Sequence, residues 1–141
     1  MTEIDVQAEC QRNISVFTTM LGHLGRQEYA DCGRYLADDI YADWPYMPAP
    51  GCPDHIVGRE PLLEFFEGGM SAFDPYAYRI TQIHEMADPK QLIAEYFSNS
   101  RFHPNGRPYS NRYCAILRFE NGLVTYWREY VNPETIRLVM A

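Results

Sequence analysis

Basic residues are what this chain has least of. Twelve Lys and Arg, with Lys90 the only lysine, stand against nineteen Asp and Glu, for a formal charge of −7 over 141 residues. Binding along a phosphate backbone needs the opposite balance, so no nucleic-acid partner is expected. The chain also lacks any run of the roughly eighteen apolar residues that a spanning helix needs. Its opening, MTEIDVQAEC, is acidic where a secretory leader is basic and then apolar. No membrane partner is therefore expected, and the expected location is cytoplasmic. Cys10, Cys32, Cys52 and Cys114 include no C-x-x-C pair, and the four histidines lack ligand spacing. Free buried thiols are the expectation, with no metal and no cofactor.

Aromatic residues, by contrast, are plentiful at 14%, eleven of them Tyr. That is more ring surface than one small core uses, and it points to a lined pocket or an aromatic interface. The length suits a single domain over residues 1–141.

Helical spacing fills the first half. Val6, Cys10, Ile14, Phe17, Leu21 and Leu24 recur at steps of three and four, and Gly22 and Gly25 end the run. A shorter helix is expected from Tyr29 through Leu36, closing at Asp38-Asp39, and IYADWPY then reads as a strand. In PYMPAPGCP, four prolines exclude both a helix and a central strand, leaving a loop or lid that includes Met47. GREPLLEFFEGGM has Pro61 in its first turn and Leu62, Phe65, Phe66 and Met70 on one stripe, predicting a third helix.

After Phe73 the period becomes two. Tyr76, Tyr78 and Ile80 alternate and Ile83 falls out of phase, which predicts a bulge near Thr81 and Gln82. Three long strands follow, joined at Asn105-Gly106 and Asn121-Gly122. Asn-Gly suits two-residue hairpin turns that need positive φ at both positions. The expected class is α+β, an antiparallel sheet wrapped over helices.

Two-residue turns fix which residues share a face. The first would set Tyr96 opposite Ala115, placing Leu92, Ala94, Tyr96, Ser98, Asn111, Tyr113, Ala115, Leu117 and Phe119 on an uncharged inner side. Glu95, Arg101, Arg112 and Arg118 fall outside among Phe97, Cys114 and Ile116, a mixture that suits a homodimer through the outer sheet face. The second turn sets Asn111 opposite Asn132, brings Tyr130 inside and sends Glu129 outward beside Cys114. A bulge near Tyr126 or Trp127 would reverse this, turning Glu129 inward and Arg128 out. That arrangement costs less because Arg cannot shed its charge. Parity alone leaves both open.

The stretches YADWPYMPAPGCPDHIVGREPLLEFF and PNGRPYSNRYCAILRFENGLVTYWREYVNPE resemble the SnoaL-like branch of the nuclear transport factor 2-like superfamily. The resemblance implies a strongly curved antiparallel sheet forming a cone around a long helix, commonly dimeric. Its relatives include ketosteroid isomerase, polyketide cyclases and phenazine-biosynthesis proteins, which act on small ring-bearing molecules without a cofactor. In ketosteroid isomerase, carboxyl groups are tuned for this chemistry by their surroundings. The cavity acid of the phenazine-type R-E-[FY]-x-N-P ending maps onto Glu129. The steroid enzymes' catalytic aspartate maps onto Asp43 if aspartates are matched and onto Trp44 if Pro45 is matched. The third helix has no histidine, a departure from the phenazine-type pattern.

The implied function is cofactor-free proton transfer on a small hydrophobic carbonyl or ring compound, by isomerisation, cyclisation or dehydration. Glu129 and Asp43 are the candidate acids or bases. Trp44, Tyr96, Asn111, Tyr113, Tyr130 and Asn132 are the candidate substrate contacts. The alternatives are a non-catalytic binding protein of the same fold, whose pocket would hold only apolar and neutral groups, and an assembly domain with a filled pocket.

Overall fold

In the computed structural model, which describes residues 2–46 and 51–141, the first helix begins where the sequence offers a cap. Thr2 Oγ1 accepts from Asp5 N at 3.1 Å, and the Asp5 carboxylate accepts from Thr2 N at 3.2 Å. Two free N–H groups are thereby satisfied reciprocally. This helix, α1 (Glu3–Gly25), buries Cys10, Phe17, Met20, Leu21 and Leu24, largely the stripe read from the sequence, and also Asn13. At its end the Gly25 carbonyl accepts the Tyr76 N–H at 2.7 Å. A Cβ at Gly25 would sit 2.5 Å from the Tyr76 carbonyl oxygen, so glycine is what allows this approach.

The second helix, α2 (Tyr29–Gly33), is shorter than expected, and Leu36 opens a strand instead of closing the helix. The reason is tertiary: the Tyr35 carbonyl accepts from Val124 N at 2.8 Å, which draws the chain into the sheet. Strand β1 (Leu36–Asp43) is followed by β2 (His55–Val57), α3 (Arg59–Met70), β3 (Ala77–Glu85), β4 (Gln91–Arg101), β5 (Pro108–Glu120), β6 (Leu123–Val131) and α4 (Pro133–Met140). The short β2 was not foreseen, since three residues carry no readable period. It sits on the sheet edge, where a proline-rich neighbourhood is tolerated. The expectation for the loop between β1 and β2 falls partly on 47–50, Met47 included, and that part lies outside the described residues.

The six strands form one curved, unclosed sheet in the order β2-β1-β6-β5-β4-β3. All neighbours are antiparallel except β1 and β6, which run parallel. α1 packs on the concave side, where Phe17, Met20, Leu21 and Leu24 join Leu92, Ala94, Leu117, Phe119 and Val124 in the core.

The β4–β5 connection differs from a two-residue turn. Phe102 pairs with Arg107, leaving residues 103–106 as the loop, and Tyr96 faces Tyr113 in place of Ala115. Only Gly106 has positive φ in this loop (φ 69°). Asn105 is held otherwise: its Nδ2 donates to the Val139 carbonyl at 2.7 Å and its Oδ1 accepts from Arg107 N at 3.0 Å. The register moves by two residues, which preserves every face. At β5–β6 the expected turn forms, with positive φ at both Asn121 (52°) and Gly122 (75°).

Candidate active site

Everything about the site follows from one extra residue in β6. Phe119 pairs with Val124, but Arg118 pairs with Tyr126, so Thr125 is a bulge and parity reverses beyond it. Trp127, Glu129 and Val131 then face inward opposite Leu117, Ala115 and Tyr113. Tyr126, Arg128 and Tyr130 face outward. The bulge lies one residue before the first position considered in the sequence, and it has the expected effect. A second bulge falls between Ile80 and Gln82, where the break in phase put it.

Glu129 is only 9% exposed. Trp44 Nε1 donates to its Oε1 at 3.2 Å, and the Tyr96 hydroxyl donates to its Oε2. Burial raises the carboxyl from its ordinary 4.5 to about 7, while the Tyr96 and Trp44 hydrogen bonds partly oppose the rise by favouring the anion. Tyr96 stacks on Tyr113 at 5.0 Å, and Tyr78 sets its edge against both at 5.7 Å. The Tyr113 hydroxyl pairs with Ser98 Oγ at 2.7 Å. Burial drives the phenols of Tyr78, Tyr96 and Tyr113 far above their usual value, so they stay protonated and able to donate.

Glu129 opens onto a cavity of about 340 Å³. One wall comes from α3 and the loop after it, through Phe65, Phe66, Met70 and Phe73. The opposite wall is the sheet, through Tyr78, Tyr109, Tyr113 and Val131, together with Tyr76 just before β3. Trp44 and Cys52 contribute from either end of the loop between β1 and β2, and Ile136 and Met140 from α4. Among the described residues the lining is apolar except for phenol hydroxyls, the Trp44 indole N–H, the Cys52 thiol and one carboxyl.

Of the residues singled out from sequence, the structure brings Glu129, Trp44, Tyr96 and Tyr113 together. Tyr96 stands behind the carboxyl and holds it; Trp44 both lines the cavity and donates to it. Asp43 is a correction. It points to the outer side of the sheet, where Arg128 Nε and Nη2 donate to its two oxygens at 2.9 and 2.8 Å and the Tyr41 hydroxyl donates at 3.2 Å. Adjacent strand residues point oppositely, so Trp44 takes the inward place that matching on Pro45 had assigned to it. Tyr130 is also corrected to the outer side, opposite Cys114 and against Tyr46, because the bulge reverses it. Asn132 caps α4 by accepting from Glu134 N at 3.0 Å. Asn111 is buried but committed: its Nδ2 donates to the Tyr109 hydroxyl and the Asn132 carbonyl, and its Oδ1 accepts from Arg112 N. It positions Tyr109 and does not reach the cavity.

Tyr76, Tyr78 and Tyr109 were not singled out. The signal was present, since Tyr76 and Tyr78 alternate and Tyr109 shares parity with Asn111 and Tyr113. What sequence could not supply was that α3 stands away from this end of the sheet and leaves their rings uncovered.

A curved, unclosed sheet over helices is the nuclear transport factor 2-like fold, shared with solved structures on which the chain superposes. One is a Bacillus subtilis protein provisionally described as an isomerase, with TM-score 0.86, 16% identity and 94% of each chain covered. Another is a phenazine biosynthesis-related protein of Pseudomonas aeruginosa, with TM-score 0.78 and 16% identity over 99% of this chain and 92% of that one. At such identities the likeness is one of fold. The chain belongs to the SnoaL-like domain family, whose model matches residues 17–127. Among curated proteins it is similar to the uncharacterized YesE of Bacillus subtilis strain 168, 22% identical over 95 residues. That match spans 67% of this chain and 64% of YesE, a little under two thirds of the relative's length.

Proposed function

We propose that this protein is a cofactor-free enzyme that moves a proton on a small hydrophobic carbonyl or ring compound, with Glu129 as the acid or base. The observation that carries the reading is a cavity carboxyl, the one acid among the described lining residues, poised near neutrality by burial. A group with that value is present in both forms at physiological pH, which suits general acid–base catalysis. In the deprotonated form it removes a proton from carbon next to a carbonyl. If Ser98 donates to Tyr113, the Tyr113 phenol proton is free to stabilise the developing oxyanion. Asp43 and Tyr130 have no part in this scheme.

A binding protein for neutral ligands would gain nothing from an ionisable group whose burial is costly, and the carboxyl favours the enzyme over that alternative. The proposal includes a homodimer through the outer sheet face and a cytoplasmic location, supported by the mixed aromatic and arginine surface of that face and by the absence of any helix long and apolar enough to cross a membrane among the described residues.

The test is proton exchange in heavy water. A panel of small cyclic ketones is incubated with the protein, and solvent deuterium entering next to the carbonyl is followed by NMR. Exchange above background that falls by about 100-fold or more in Glu129→Gln is expected. Exchange that is equal in the two proteins, or a Glu129 carboxyl that titrates as an ordinary surface acid, would remove the basis for the enzyme.

A further inference from the structure

The cavity wall is lopsided in charge. Among its described lining residues there is one carboxyl and no lysine, arginine or histidine. Nine of those side chains are aromatic, and aromatic rings present a negative face. The outward cation next to Glu129 in β6, Arg128, is matched by both oxygens of Asp43 and adds little compensating field. Carboxylate and rings therefore act in one direction, attracting a cation and repelling an anion.

Hydrogen bonding narrows the choice. A primary ammonium brings three donors, and of the acceptors on the wall the Tyr109 oxygen already accepts from Asn111 while the Tyr113 hydroxyl is paired with Ser98. Glu129 already accepts from Trp44 and Tyr96. Donors left unpaired inside an apolar hollow are costly, whereas alkyl groups in their place gain from contact with the rings. We propose that the cavity accepts a small alkylated ammonium, tertiary or quaternary, with its alkyl groups against the aromatic wall and its charge facing Glu129. This rests on the reading of the cavity as the ligand site, and narrows it to molecules carrying such a group near the reacting centre.

Three probes of similar shape test it on the full chain by titration calorimetry: choline, its neutral isostere with a tert-butyl group in place of trimethylammonium, and the anion pivalate. At about pH 8, with Glu129 ionised, choline is expected to bind at least about tenfold tighter than the isostere, and pivalate not to bind. In Glu129→Gln the preference should shrink to the fewfold that ring faces alone provide. Wild-type choline affinity should also fall towards about pH 5.5 while that of the isostere holds. The other titratable groups near the carboxyl are the phenols of Tyr76, Tyr78, Tyr96, Tyr109 and Tyr113, all pushed upward by burial, and the Cys52 thiol at the cavity wall. An isostere that matches choline, or a preference unchanged by Glu129→Gln, would overturn the cation proposal and leave the cavity a ligand site. No binding by any probe, with no NMR shifts at the lining residues, would overturn both.

Discussion

Burial holds the Glu129 carboxyl at about 7, and that value ties stability to pH. The folded state keeps this proton more tightly than the unfolded chain, whose value is near 4.5. The favourable contribution is complete below the unfolded value and is lost as pH rises through about 7. Over that window stability should decline by roughly 3 kcal/mol if nothing else titrates. Thermal melts from acid to neutral pH should show this decline in the wild type and lose it in Glu129→Gln. Equal slopes would mean that the carboxyl is not desolvated. Tyr96→Phe makes a separate prediction. It removes a donor that favours the anion, so the Glu129 carboxyl, followed by carbon-13 NMR, should titrate higher than in the wild type, and any proton-transfer activity should shift its pH profile the same way. A lower midpoint would contradict the hydrogen bond to Tyr96.

The elements that place these residues depend on a few local devices. Gly25 lets the end of α1 meet Tyr76, the residue just before β3, which anchors the start of the strand carrying Tyr78. Gly25→Ala should therefore cost about 1–3 kcal/mol, since the clash is with backbone and cannot be relieved by a side-chain rotation. A lower denaturant midpoint with an unchanged slope is the expected result. In β6 the device is the Thr125 bulge. Deleting Thr125 would remove the extra residue and leave Val124 opposite Phe119 and Tyr126 opposite Arg118, an unbroken ladder in which Arg128 still faces outward and Glu129 inward. The deletion should therefore retain cooperative unfolding and a Glu129 carboxyl that titrates near 7. A deletion variant whose Glu129 titrates as an ordinary surface acid would show that pairing with β5 does not set the facing.

For the whole molecule, the outer sheet face sets Phe97, Ile116 and Tyr126 among Arg112, Arg118 and Arg128. Arg118 and Arg128 also lie over the Tyr126 ring at 5.2 and 5.8 Å. Such a mixture fits a subunit contact. Sedimentation should find a dimer, and Phe97→Glu combined with Ile116→Glu should yield a folded monomer. A wild-type monomer at working concentration would remove this assembly. The cavity lies on the opposite side of the sheet, so the monomeric variant should still bind ligand.

Much of this architecture is written locally in the chain. The spacing along α1, the Asn121-Gly122 turn, the phase break at Thr81 and the uncharged face of β4 and β5 each depend on neighbours a few residues apart or on a tight turn. Those features were legible for that reason. The β4–β5 loop was misjudged by two residues because Asn105 is held by α4, far along the chain, yet the faces survived because the shift was even. Tertiary structure alone decided the short α2, the edge strand β2 and the parallel pairing of β1 with β6. It also decided which way Glu129 points. One inserted residue reverses a strand's parity, and what stabilises that insertion is distant: Asp43 waits outside for Arg128, while Trp44 and Tyr96 meet Glu129 within.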